Sequence, residues 1–186
     1  MNVCIFYFEQ FANHEIVFAC HEFRKQNILA VGLEKGIYQC TEGQKVVVEY
    51  GLDELSLDDI DVFIVPGGIT ENIQDNPELL RFIAELHRRK TIIGGICGGT
   101  FILAKSGILK NTPCTGHFIR FEAGTPEIAL FSDADLRDED VVVHDNIVTA
   151  KGKAFIEFAL ALADTAGLFR AREEYENERS WLKNSI

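Results

Sequence analysis

The chain has 186 residues, 47% of them hydrophobic and 25% charged, enough apolar material for one domain with a core covered on both sides. Its net charge is -11 and no run of basic residues is denser than Arg88-Arg89-Lys90, which argues against nucleic acid as a partner, because duplex binding needs a basic patch to displace counterions. No apolar stretch approaches the roughly 20 residues of a membrane span, and five cysteines at wide spacing without a C-x-x-C fit neither a zinc site nor a disulfide framework.

Residues 3–8 are nearly all apolar, the pattern of a parallel strand buried on both faces. They lack the basic lead and long apolar run of a signal peptide, so a soluble, cytoplasmic protein with free thiols is expected. Residues 11–26 have helical periodicity, with Ile16, Ala19, Cys20 and Phe23 on one face and Asn13 placed as the N-cap. A second strand is predicted over 28–33. Residues 37–40 and 45–50 read as a hairpin joined through Glu42-Gly43. The apolar run 62–65 stops at Pro66-Gly67-Gly68, and Asn76-Pro77-Glu78 opens a helix with Leu79, Phe82, Ile83 and Leu86 on one stripe. A strand over 91–96 runs into Cys97, and a helix over 99–105 ends at Gly107. Strands at 141–143 and 147–150 flank the turn His144-Asp145-Asn146. An apolar helix over 154–169 precedes a charged one over 170–181 with a thin apolar face. Strands alternating with helices imply a doubly wound, mostly parallel sheet flanked by helices, with a small hairpin. Residues 1–168 form the α/β domain, and 169–186 a charged C-terminal helix packed on it or at an interface.

Cys97 stands out because it sits in Gly95-Ile96-Cys97-Gly98-Gly99. G-x-C-x-G between a strand and a helix has the form of a nucleophile elbow, a sharp turn whose small neighbours relieve crowding around a strained nucleophile. The thiol is then expected at the carboxyl end of a central strand, where open α/β sheets bind ligands. Helix amides facing it are expected to lower its pKa, and the amides of Gly98 and Gly99 to hold an oxyanion. The competing reading is a buried cysteine in a glycine-rich turn. A phosphate loop is discounted because Thr100 follows Gly99 directly, with no lysine between.

Several segments together resemble the ThiJ/PfpI superfamily, whose members include the Parkinson-disease protein deglycase. They are Val62-Phe63-Ile64-Val65-Pro66-Gly67-Gly68, Gly94-Gly95-Ile96-Cys97-Gly98-Gly99-Thr100, and the stretch from Ile102 to Leu109. Thr115-Gly116-His117, the stretch from Asp145 to Ala150, and that from Phe155 to Ala163 continue the match. The resemblance implies a flavodoxin-like, class I glutamine amidotransferase-like fold and commonly a homodimer. It implies that Cys97 is the elbow nucleophile, that Glu15 contacts it from the first helix, and that His117 is the histidine after the elbow helix. Gly67 and Gly68 are implied to line the pocket and supply a backbone amide, alongside Gly98.

Elementary chemistry agrees with these assignments. Glu15 follows the first strand, on the same sheet edge as Cys97, and a carboxyl group in a low-dielectric pocket beside a thiolate has a raised pKa and can shuttle a proton. His14, His21, His87 and His144 are read as non-catalytic. Neither His14-Glu15 nor His21-Glu22 continues into H-E-x-x-H, so no metal or other cofactor is expected. Protease-like members often carry histidine directly after the cysteine, where this chain has Gly98. His21 stands where the Parkinson-related branch has an acid. The expected activity is therefore a cysteine-dependent, glyoxalase- or deglycase-like reaction on a small electrophilic carbonyl substrate. The alternatives are a redox sensor whose cysteine becomes sulfenic or sulfinic acid, and an amidase- or protease-like hydrolase.

Overall fold

The computed structural model describes residues 1–117 and 126–184. Its strands are β1 (Asn2–Phe6), β2 (Asn27–Gly32), β3 (Gly36–Gln39), β4 (Lys45–Val48), β5 (Tyr50–Gly51), β6 (Val62–Val65), β7 (Ile92–Ile96), β8 (Pro113–Cys114), β9 (Asp135–Leu136), β10 (Val141–His144) and β11 (Ile147–Ala150). Its helices are α1 (Val17–Glu22), α2 (Pro77–Arg88), α3 (Gly99–Lys105), α4 (Pro126–Ala129), α5 (Phe155–Thr165) and α6 (Arg172–Asn184).

Among the described residues, seven strands form one sheet in the order β10-β11-β7-β6-β1-β2-β5. Every neighbouring pair is parallel except β10 and β11. This is the mostly parallel, helix-flanked sheet that the sequence predicts. The central strands read as unbroken apolar runs because both of their faces are covered: all four residues of β6 are buried, as are Val3, Cys4, Ile5 and Phe6 of β1. The chain builds outward from β1 through β2 to β5 and then returns to the other side of β1 with β6. Strand order therefore reverses between β1 and β6, and the crevice beyond the carboxyl ends at such a reversal is where ligands bind in this architecture.

Helices close on both faces, with α1 and α5 on one and α2 and α3 on the other. Two adjacent glycines in β7 make this approach close. A β-carbon on Gly94 would lie 2.8 Å from Leu162 of α5, and one on Gly95 would lie 2.4 Å from Leu103 of α3. Successive strand residues face opposite sides, so each glycine admits one helix. Gly94→Ala is expected to cost about 1–3 kcal/mol by overpacking, read as a lower urea midpoint with an unchanged slope. At the start of α2, the Asn76 side chain accepts from the amides of Glu78 and Leu79 at 3.0 and 3.1 Å, with Pro77 in the first turn, as the sequence indicates.

Three local expectations are corrected. Asn13 does not cap a long first helix: residues Asn13–Glu15 form a 3-10 turn and α1 begins only at Val17. The Asn13 side chain is drawn instead to Gln44, 2.9 Å away. The run 45–50 is two strands, because β4 pairs with β3 in the hairpin whereas β5 joins the edge of the main sheet beside β2. The last apolar helix starts after a 3-10 turn, Gly152–Ala154, and stops at Thr165 before Gly167, whose φ is +71°. Beyond it, α6 lies on α5, burying Leu182 against Ile156 and Leu160, while Lys183 pairs with Glu157 at 2.5 Å. Residues 185–186 of the expected C-terminal segment lie outside the described residues.

Candidate active site

Cys97 ends β7 with φ +54°, the left-handed region that costs a non-glycine residue of order 1–3 kcal/mol. Neighbouring bonds hold it there. Its amide donates to the carbonyl of Ala150 at 3.0 Å, and its own carbonyl accepts from the amide and hydroxyl of Thr100 at 3.1 and 2.6 Å. Gly99 is required by close approach, since a β-carbon there would lie 2.3 Å from the Val65 carbonyl. These are the features of the elbow that the sequence predicts.

Glu15 comes from the 3-10 turn after β1. The chain leading to it is stitched to the turn after β6: the Ala12 amide donates to Gly67 O at 2.9 Å, and the Ile69 amide to Gln10 O at 3.0 Å. Glu15 is thereby buried, at 2% exposure, and accepts from the Gly67 amide at 2.7 Å. Its carboxyl group lies beside the Cys97 side chain. Two glycines make room for the pair. A β-carbon on Gly67 would lie 2.6 Å from Cys97 Cβ and 2.7 Å from Glu15 Oε2. One on Gly152 would lie 3.0 Å from Cys97 Sγ and 3.1 Å from Glu15 Oε1.

The thiol pKa departs from expectation. Burial, followed by the Glu15 charge and hydrogen bond, pushes the Cys97 thiol well above its ordinary value, and the amides of Gly98 and Gly68 only partly offset this. Burial also raises Glu15, against the hydrogen bonds from Cys97 and Gly67. The helix amides that were expected to acidify the thiol are outweighed by desolvation and by a neighbouring acid. Burial and the Glu15 charge therefore both hold the proton on the Cys97 sulfur.

His117 meets the pair from the opposite side, with Nδ1 2.8 Å from Cys97 Sγ. It lies on an exposed bend beyond β8. That bend is anchored by Thr115, whose amide donates to Thr149 Oγ1 at 2.9 Å and whose hydroxyl donates to Glu139 O at 2.7 Å. The structure thus brings together all three residues named from the sequence. The Gly68 and Gly98 amides favour the thiolate, though less than burial opposes it, whereas the Gly67 amide is taken up by Glu15. A β-carbon on Gly98 would meet Thr70 at 3.0 Å, so a side chain there requires Thr70 to shift.

These groups open into a cavity of about 710 Å³, whose wall includes His14, Thr41, Lys151, Lys153 and Phe155. None of these five is singled out by the sequence as a pocket residue. Lys151 and Lys153 follow β11, and both pair with Asp140, at 3.7 and 3.0 Å. The hairpin of β3 and β4 supplies the wall by Thr41: the Thr41 amide donates to Phe11 O at 2.8 Å, and Glu42 accepts from the amides of Asn13 and His14, both at 3.1 Å. Burial opposes ionisation of Glu42, but hydrogen bonds from His14 and Asn13 outweigh it and hold the carboxyl well below its ordinary value of 4.5. A depressed folded-state value stabilises the protein above the unfolded pKa, and this contribution is lost as pH falls through the folded one. Between about pH 6 and pH 3 the urea midpoint of the native protein is expected to fall further than that of Glu42→Gln.

A family model described as the DJ-1/PfpI family matches residues 1–165. The chain belongs to the DJ-1/PfpI family. Among curated members, a deglycase of Pyrococcus abyssi is 23% identical over 154 residues, covering 81% of this chain and 90% of that protein. An uncharacterized protease, YoaZ, of Bacillus subtilis is 27% identical over 157 residues, covering 84% and 72%. Among solved DJ-1/PfpI structures, a DJ-1 superfamily protein of Agrobacterium tumefaciens superposes with a TM-score of 0.83 at 23% identity over 100% of both chains. DJ-1beta of Drosophila melanogaster gives 0.80 at 20% identity, over 97% of this chain and 96% of that one. No helix among the described residues is long and apolar enough to cross a membrane.

Proposed function

We propose that this DJ-1/PfpI protein is a cysteine-dependent enzyme acting on small electrophilic carbonyl compounds, in a glyoxalase- or deglycase-like reaction. The observation that carries this reading is the Cys97 sulfur held between the buried Glu15 carboxyl and His117 Nδ1 at the floor of an open cavity. Glu15 takes the thiol proton as sulfur attacks an aldehyde, forming a hemithioacetal. For a 2-oxoaldehyde, a base then moves a proton from one carbon to its neighbour, with His117 in reach of the adduct. The thioester so formed is hydrolysed to the 2-hydroxy acid, so that one water is consumed and no redox partner is needed. The Gly68 and Gly98 amides, which favour negative charge at the sulfur, are the candidate donors to charge that develops beside it. Relatives named as deglycases support the substrate class. The test is lactate formation from methylglyoxal by the native protein; no lactate above background overturns the reading.

One observation favours a second reading. The same two amides would hold the oxygens of a sulfinate, as a redox sensor requires. Mass measurement of the intact protein during peroxide titration separates the two: two oxygens added at Cys97 before the other cysteines react support sensing, and slow oxidation of all five removes it. The hydrolase alternative is supported by relatives named as proteases, but the tight fit at Gly98 against Thr70 leaves little room for the adjacent histidine of protease-like members.

A further inference from the structure

The face of α1 turned away from the cavity meets α6. We propose that His21, Glu22 and Glu178 form a binding site for a divalent transition-metal ion, with zinc as the best match, that fastens α6 to α1. All three residues are half-buried; His21 Nε2 and Glu22 Oε1 are shut off from solvent without a hydrogen-bond partner, and the Glu22 carboxyl faces that of Glu178. Buried polar atoms are paired in native structures, by an ion or an ordered water where the protein supplies no partner. Glu178 Oε1 lies 3.5 Å from His21 Nε2, too far for a good hydrogen bond. It is close to the roughly 3.3 Å that separates two ligands on a tetrahedral zinc with bonds of about 2 Å.

One ligand atom from each of the three residues lies within 4.8 Å of the other two, and among the described residues no other group of His, Cys, Asp and Glu converges in this way. An imidazole nitrogen with two carboxylates suits zinc and leaves a position for water. The ring is held in place, since Trp181, three residues beyond Glu178 on α6, stacks on His21 with centroids 5.3 Å apart and planes 20° apart. Arg24, Lys25 and Arg170 line the adjoining cavity with Glu22 and Glu178, and Arg24 has Nη1 committed to the His21 carbonyl at 2.6 Å. A staple here has a structural purpose, because α6 is highly charged and the one residue it buries is Leu182.

The test uses the full chain carrying Cys97→Ser, so that zinc is not captured by that thiol, stripped of metal with a chelator and titrated with zinc chloride. Calorimetry and the emission of Trp181, the only tryptophan in the sequence, are read together. One zinc per chain is expected, with emission changing to the same endpoint and the melting temperature rising. His21→Gln and Glu178→Gln are each expected to weaken binding by about tenfold or more, with unchanged circular dichroism. No binding, or binding that neither substitution weakens, overturns the proposal. X-ray absorption at the zinc edge reads the site without those substitutions: one imidazole with oxygen ligands supports it, and sulfur ligation overturns it.

Discussion

Cys97→Ser is expected to lower lactate formation from methylglyoxal by about 10³-fold or more. The substitution exchanges a polarisable sulfur for a hydroxyl of far higher pKa. It does so in a site where burial and Glu15 already oppose the anion. Neither His117, on an exposed bend, nor the Glu15 carboxylate is the strong, shielded base that a serine nucleophile needs. The variant should fold normally, because the elbow rests on backbone bonds from Cys97 to Ala150 and Thr100 that serine retains. The other cysteines are poor substitutes: Cys4, Cys40 and Cys114 are buried, and burial holds Cys4 and Cys114 up to about 12 and 11. Activity that survives in Cys97→Ser would place the chemistry elsewhere; the assay is lactate release at saturating methylglyoxal, with thermal unfolding as the control for folding.

Glu15→Gln is expected to move two readouts in opposite directions. Turnover should fall by about 10²-fold, because the variant loses the group that accepts the thiol proton. Alkylation of Cys97 near neutral pH should become about tenfold faster or more, since each unit of pKa change alters the thiolate fraction tenfold. The sign follows from the causes of the shift. After burial, the Glu15 charge and its hydrogen bond are what raise the thiol, and glutamine removes the charge. Burial remains, so the thiol stays above its ordinary value. Glutamine keeps an oxygen that can accept from the Gly67 amide, which holds Glu15 at 2.7 Å, so the turn should survive. Mass spectrometry of the iodoacetamide-treated protein against pH measures the inflection. A slower reaction in the variant would mean that Glu15 acts in the native site as a neutral donor stabilising the thiolate.

The two substitutions together distinguish a nucleophile kept protonated until substrate arrives from one that is permanently ionised. A thiol that burial and a neighbouring carboxylate keep protonated is protected from stray oxidants, and ionises when an electrophile takes up the developing charge. This weighs the site towards carbonyl chemistry and away from sensing, which favours a low thiol pKa.

What could be read from the sequence were features encoded over a few residues. The runs that became β1, β6 and β7 are apolar without alternation because both faces of a parallel sheet are covered. The cap of α2 uses a side chain adjacent to the backbone it binds, and the turn before β11 places Asp145 at φ +49°, a conformation that aspartate tolerates. The elbow is local in the same way: Gly98, Gly99 and a preceding strand suffice to mark Cys97. Glu15 and His117 are far from Cys97 in the chain, and were reached through resemblance to a family rather than through spacing.

Tertiary structure alone decided how these parts act. Asn13 looks like a cap, yet it turns to Gln44 because the hairpin lies across the start of α1. Gly94 and Gly95 look alike in sequence, but one admits α5 and the other α3. Gly67 spends its amide on Glu15, and Gly152, in the turn after β11, closes over the same pair. The direction of the Cys97 shift was legible in no local pattern. A short helix after a cysteine predicts an acidic thiol, and the fold overrules it by removing water and placing a carboxyl group beside the sulfur. Local sequence set the position of the thiol; the packing of distant segments set its proton affinity, because electrostatic free energy depends on everything that replaces the solvent around a charge.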